Sequence, residues 1–234
     1  MSITTGPATR QRLRAHREAG ASLLNALLVG LLVVLILLAV VVGGAEVMEG
    51  DTHSFDQYLL LSAQSLRFDY PGLAAIMRDF SALGSTAVMT LFTVITVGYL
   101  ALVSARATAL LVASSVITGA VFVQFLKAGF GRLRPDVGFA ELTATGPSFP
   151  SGHTSMSAIV FLTLGALIAT TRSRVTERLY ILATAALLAL LVGISRVLLG
   201  VHWATDVLGG WAFGAAWAMA WLLLAHYLRK DRQT

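Results

Sequence analysis

Residues 195–206, SRVLLGVHWATD, place a serine, an arginine, a histidine and an aspartate between two very apolar segments, 179–194 and 207–228. Ionisable side chains are costly at the end of an apolar span unless they anchor at the interface or perform chemistry. The spacing of His202 and Asp206 favours chemistry. Four residues apart, they are expected on one helical face, where a carboxylate can hold an imidazole in a single tautomer and orientation.

Composition sets the environment of this stretch. Of 234 residues, 56% are hydrophobic and 12% charged, and the mean hydropathy is +0.78. These values describe an integral membrane protein and not an ordinary soluble domain. The net charge of +5 and a sequence pI near 10.1 would suggest a nucleic-acid partner in a soluble chain. Here the charges sit in loops and tails, so no nucleic acid is expected. With no cysteine there is no disulfide, thiolate metal site or cysteine nucleophile.

Segment 1–22 is a basic tail carrying Arg10, Arg12, Arg14, His16 and Arg17, and the apolar run 23–43 follows it. A run of about 20 residues crosses a hydrocarbon core of roughly 30 Å and is too long for a secretory signal. Residues 44–84 are polar and acidic and are expected to form an outer loop with short helices. Ser54 with Gln57 fits a capping box, and Pro71 suits the start of a second short helix. Further spans are expected at 85–103, 108–126, 153–171, 179–194 and 207–228. Ser104, Ala105 and Arg106 would turn tightly between two of them, and polar sequence would resume at Lys127.

The expected fold is therefore all-α: a polytopic bundle of six transmembrane helices with short interfacial helices on the outer side, forming one membrane-embedded domain over 1–234. Six crossings put both termini on one side. Assigning that side to the cytoplasm gathers Arg10, Arg12, Arg14, Arg17, Arg106, Arg172, Arg174, Arg178, Arg229, Lys230 and Arg232 there, in agreement with the positive-inside rule. Three polar clusters then fall on the opposite face: Lys127, Arg132, Arg134 and Asp136; Ser148, Ser151 and His153; Ser195, Arg196, His202 and Asp206. A transporter or channel would carry ionisable residues deeper along its path, and these spans have almost none.

Lys127, Arg132, Arg134 and Arg196 beside two histidines suit an oxyanion with several negative oxygens, because arginine offers phosphate a planar donor fork and lysine a compact charge. Ser151 and Gly152, just before a helix, add a hydroxyl and a backbone N–H at a helix N-terminus. Two histidines can divide a hydrolysis, one attacking phosphorus and the other protonating the leaving oxygen.

Lys127 followed by Arg134 and Pro135, then Pro150, Ser151, Gly152 and His153, then Ser195, Arg196, His202 and Asp206, resembles the three-part signature of the type-2 phosphatidic acid phosphatase and vanadium haloperoxidase superfamily. All eleven fixed positions are filled. The motifs cover 127–206, and the six-helix layout is similar to that of small bacterial lipid phosphatases. The resemblance implies that His202 is a nucleophile forming a phosphohistidine, that Asp206 holds it, and that His153 is the general acid. Lys127, Arg134, Ser151, Gly152 and Arg196 would bind the phosphoryl oxygens.

Arg132 lies at a variable position within the first motif, and Ser195 has either a phosphate contact or a hydrogen bond at its own helix end. No metal or other cofactor is implied. The expected activity is a metal-independent lipid phosphatase of the cytoplasmic (inner) membrane, with its site facing the periplasm or exterior. Membrane lipids surround it. Its substrate would be a lipid phosphate or diphosphate, with undecaprenyl diphosphate first and phosphatidylglycerophosphate or phosphatidic acid next. A phosphotransferase using the same site, a vanadate-dependent haloperoxidase and a non-catalytic lipid carrier are the other readings.

Elsewhere, Gly210 and Gly214 form a G-x-x-x-G step explained by close helix packing. Trp203, Trp211, Trp217 and Trp221 are expected as belt or packing residues, with Trp203 also placed to wall the site. His53 is expected as a solvated loop histidine.

Overall fold

The computed structural model describes the backbone of residues 7–230 and the side chains of residues 28–228. Arg10, Arg12, Arg14, Arg17, Arg229, Lys230 and Arg232, invoked for orientation, therefore have side chains outside the described residues. The architecture is all-α: α1 (Pro7–Glu49), α2 (His53–Asp69), α3 (Leu73–Leu83), α4 (Thr86–Leu102), α5 (Arg106–Phe130), α6 (Gly152–Thr170), α7 (Val175–Leu198) and α8 (Ala204–Lys230). Among the described residues, six stretches are long and apolar enough to cross a membrane: Leu28–Glu49, Leu73–Leu102, Arg106–Phe130, Gly152–Thr170, Val175–Leu198 and Ala204–Leu228. The protein is a multi-pass membrane protein.

α6 is the axis of the bundle. It packs mainly against α7 and α8, and its buried residues run around its whole circumference, so its sequence has no polar stripe. In lipid, helix association depends on close van der Waals packing, and small residues permit it. A Cβ on Gly214 would stand 2.6 Å from both the Ala158 Cβ and the Ser155 carbonyl, and one on Gly210 would stand 3.1 Å from the Ser151 carbonyl. The G-x-x-x-G step thus seats α8 on α6 within one chain. α1 closes the other side of α8 while turning Leu31, Leu35 and Leu38 outward, as a lipid-facing helix should.

Several helices run past their expected ends. α1 continues beyond 43 to Glu49, because Gly44 is a packing notch and not a loop: a Cβ there would meet the Phe130 and Phe149 rings at under 3.0 Å. α5 continues to Phe130, where Gly131 closes it at φ 62° and donates its N–H to the Lys127 carbonyl at 2.9 Å. Lys127 is consequently a last-turn helical residue, and Arg196 likewise belongs to α7. The capping box at Ser54 is not formed. α2 begins at His53 after the turn at Gly50, and Thr52 precedes it without a side-chain cap. α3 and α4 share one long apolar stretch, broken at Gly84, which lies against Val192 and the His153 carbonyl.

α5 and α7 end, and α6 and α8 begin, at the same end of the bundle. Arg106, Arg172, Arg174 and Arg178 occupy the turns at the other end. All three polar clusters therefore converge, roofed by α2, α3 and the segment 131–151.

Candidate active site

The turn between α7 and α8 sets the position of His202. Gly200 adopts φ 70°, its α-carbon lies too close to Phe139 for any side chain, and the next residues swing His202 under the roof. α8 starts at Ala204, so His202 and Asp206 do not share a helical face as their spacing suggests. Asp206 instead occupies the third position of the helix and reaches back. Its Oδ2 accepts the Trp203 N–H at 3.0 Å, the carboxylate half of a capping box, and also meets His202 Nδ1 at 3.1 Å. Since a carboxylate in these bonds is an acceptor, Nδ1 carries the ring proton and Nε2 keeps its lone pair.

That lone pair faces Arg134, whose Nη1 lies 3.0 Å from Nε2. The guanidinium is fixed by carbonyls: Val201 at 2.8 Å, Gly146 at 3.0 Å and Thr145 at 3.2 Å. Lys127 reaches the same loop, its Nζ donating to the Pro147 carbonyl at 2.6 Å, and its stem passes Gly152, where a Cβ would stand 3.6 Å from Cε. Arg196 rises from the last turn of α7 and donates through Nη1 to the Ser81 hydroxyl at 2.6 Å, while its buried Nε has no partner. Among the described residues, none of Lys127, Arg134 and Arg196 forms an ion pair. His153 lies on the first turn of α6, directly after Ser151 and Gly152.

Burial lowers the pKa of Arg134, with the Asp206 charge opposing the shift. Burial also pushes the His202 imidazole down to about 4, against the raising effect of its Asp206 hydrogen bond. His202 is thus neutral at pH 7. Three cations without anions around a neutral imidazole are arranged for a ligand carrying at least two negative charges. Ser151 is fully buried as the N-cap of α6, and its Oγ accepts from Thr154 Oγ1 at 2.9 Å. The first N–H groups of α6 lie directly after it, without intrahelical acceptors.

Other candidates lie elsewhere. Ser195 donates to the Val192 carbonyl at 2.6 Å within α7, the helix-end bond foreseen for it. Arg132 turns away from the cradle and bridges Asp56 and Asp206 at 2.7 and 2.6 Å. Asp56 lies in the stretch expected as an outer loop with short helices, and so does Arg67, which donates to the Leu198 and Phe139 carbonyls and pairs with Glu141 at 3.4 Å. The available signal was periodic: Asp56, Leu60, Ala63 and Arg67 recur at helical spacing on the buried face of α2. Trp203 does wall the site, donating to the Leu133 carbonyl at 2.9 Å, and the exposed His53 ring meets its edge. Among the described residues no three His, Asp or Glu side chains are placed to hold a metal, and the carboxylates of Asp56 and Asp206 are both engaged by Arg132.

The family model for the PAP2 superfamily matches residues 107–230, which hold every residue of this cradle. The chain belongs to the PAP2 superfamily. Among curated relatives, phosphatidylglycerophosphatase B of Bacillus subtilis (strain 168) is 43% identical over 93 residues, 38% of this chain and 44% of that protein, so the match spans less than half of the relative's length. In three dimensions this PAP2 chain is similar to the crystal structure of the first transmembrane PAP2 type phosphatidylglycerolphosphate phosphatase from Bacillus subtilis. The TM-score is 0.76 at 27% identity, covering 83% of this chain and 96% of that one. Aquifex aeolicus LpxE shares the fold, with a TM-score of 0.56 at 24% identity over 71% of this chain and 93% of its own. The resemblance carried by the three motifs and the six-span helical fold thus agree.

Proposed function

We propose that this PAP2 protein is a lipid phosphatase acting through a phosphohistidine on His202. The observation that carries the proposal is the placement of His202, with Nδ1–H on Asp206 and the Nε2 lone pair turned into a cluster of unpaired cations. Nε2 attacks phosphorus and forms a P–N bond as the bond to the leaving oxygen breaks, and His153 gives that oxygen its proton. Water then attacks phosphorus and displaces His202. His153 takes the water's proton, and inorganic phosphate leaves. Lys127, Arg134, Arg196 and the N–H groups after Ser151 and Gly152 hold the three phosphoryl oxygens and the charge that spreads over them. Arg134 covers Nε2, so an incoming phosphoryl group takes that donor onto one of its own oxygens.

The relatives' names favour phosphatidylglycerophosphate as the substrate, with undecaprenyl diphosphate and phosphatidic acid next. A cavity of about 310 Å³ beside Arg134, bordered by Glu141, Leu142 and Val201, leaves room for a head group. The test is phosphate release from these lipids by purified protein in the presence of a chelator. Release by the wild type and its absence from His202→Ala are expected, and full turnover by that variant would sink the mechanism. Release that appears only with an added alcohol acceptor would favour phosphotransfer.

We further propose that both termini are cytoplasmic and that the site faces outward, because Arg106, Arg172, Arg174 and Arg178 lie at the opposite end of the bundle. The natural absence of cysteine makes this testable with single cysteines at the exposed positions Val137 and Arg174. A membrane-impermeant maleimide added to intact cells should label the first and spare the second.

A further inference from the structure

Behind His202 lies a second polar cluster that is closed to solvent. Asp56 and Asp206 are 0% exposed and Arg132 is 8% exposed, and they come from α2, α8 and the segment after α5. Arg132 Nη1 donates to Asp206 Oδ1 at 2.6 Å and to Thr205 Oγ1 at 2.8 Å, while Nη2 donates to Asp56 Oδ2 at 2.7 Å. Asp56 accepts in addition the Thr205 N–H at 2.9 Å and the Thr205 hydroxyl at 2.6 Å. The Arg132 guanidinium lies 5.6 Å from the centre of the Trp203 ring.

This arrangement divides the two oxygens of Asp206. Oδ1 is occupied by Arg132, with the Ser148 hydroxyl at 3.4 Å, so Oδ2 is left for Trp203 N–H and His202 Nδ1. A carboxylate pinned at one oxygen cannot rotate, and the hydrogen bond of the other determines which imidazole nitrogen carries the proton. Asp56 in turn decides where Arg132 points. Without it, the guanidinium would stand beside three other cations and would have reason to join them at the phosphate.

Resting on His202 as the nucleophile, we infer that Arg132 and Asp56 are positioning residues. Through Asp206 they hold His202 as the Nδ1–H tautomer, with its Nε2 lone pair turned toward Arg134. α2 thereby becomes part of the catalytic apparatus, since Asp56 links it to the first turn of α8. Neither residue touches the substrate in this scheme.

The full-length protein in detergent serves for the test, with Arg132→Met, Asp56→Asn and the double variant. Steady-state phosphate release and the ¹⁵N shifts of labelled histidine would be measured, with the His202 signals assigned by their loss in His202→Gln. Arg132→Met should lower kcat roughly 100-fold with KM changed less than about 3-fold, short of the ~10⁴-fold loss that follows removal of a tautomer-fixing aspartate itself. Asp56→Asn should lower kcat by roughly 10-fold, and the double variant should be no worse than Arg132→Met, since the pair acts as one unit. The His202 spectrum should move from pure Nδ1–H toward a tautomer mixture.

A folded Arg132→Met protein that keeps the Nδ1–H spectrum and wild-type kcat would overturn the inference. So would a loss confined to KM, which would make Arg132 a substrate ligand. Should Arg132→Met fail to fold, Asp56→Asn, which keeps the guanidinium, decides by the same two readouts. If wild-type protein releases no phosphate from any lipid, the phosphatase reading fails, and the tautomer spectrum still decides whether Arg132 and Asp56 position His202.

Discussion

His202 separates two regions that bury charge in opposite ways. Behind it, Arg132, Asp56, Asp206, Thr205 and Ser148 satisfy one another, and every charge has an opposite charge in contact. In front of it, Lys127, Arg134 and Arg196 have carbonyls, a hydroxyl and the neutral His202 ring for partners but no anion, and Arg196 Nε has no partner. The rear cluster is complete and maintains geometry. The front cluster has no anion of its own among the described residues, and in the proposed mechanism that uncompensated positive charge is what holds the phosphoryl group. A site of this kind is preorganised on one side and unsatisfied on the other, and the imidazole between them is the group on which both act.

The largest loss of activity is expected at the imidazole itself. His202→Ala should reduce phosphate release by at least about 10⁴-fold. His153→Ala should cost less, about 10² to 10⁴-fold, and less still for substrates with acidic leaving groups, because only protonation of the leaving oxygen is lost. Single-turnover measurements with a good and a poor leaving group separate the two.

The front and rear regions should then part company when activity is set against stability. Lys127→Met should lower kcat/KM by about 10² to 10³-fold while leaving the thermal midpoint in detergent unchanged or raised, because it removes an unpaired buried cation. Arg132→Met should lower the midpoint, since stranding two buried carboxylates costs about 3 to 5 kcal/mol. Equal midpoints for the two variants would remove the distinction.

Acidification acts on the imidazole between the two clusters. With the folded His202 held down to about 4 and an ordinary value of 6.5, the lone pair survives at pH 5 and the acid limb of kcat/KM should fall near pH 4. Between those values the unfolded chain binds more protons than the folded one, so stability rises with pH across the window and is lost as pH falls through it. An acid limb near 6.5 would mean that the imidazole is far better solvated than its burial indicates.

The smallest effect is expected away from either region. Gly214→Ala should destabilise the α6 and α8 contact by about 1 to 3 kcal/mol, because the added methyl lies 2.6 Å from Ala158 and Ser155 atoms. Gly30→Ala, with nothing within 4 Å, should be neutral or slightly stabilising. Thermal melts of the two variants provide the check.

Much of this architecture follows from the sequence by itself. Apolar runs of the right length set six spans, since lipid requires each crossing segment to satisfy its own backbone. The order of those spans brings Lys127, His153, Arg196 and His202 to one end, and the motif spacings identify the family. These properties are local or depend only on counting crossings. Tertiary structure decided the rest. Ser195 turned to its own helix, Asp206 met His202 through the start of a helix and not along one, and a short helix of the acidic stretch supplied Asp56. Arg132 and Arg134 lie two residues apart with the same chemistry, and Arg132 bridges Asp56 and Asp206 while Arg134 meets carbonyls and the His202 ring. Their difference comes from Asp56, 76 residues away from Arg132, packed opposite only one of them. Whether a buried cation is paired depends on what folds against it, and that information is absent from its own neighbourhood in the chain.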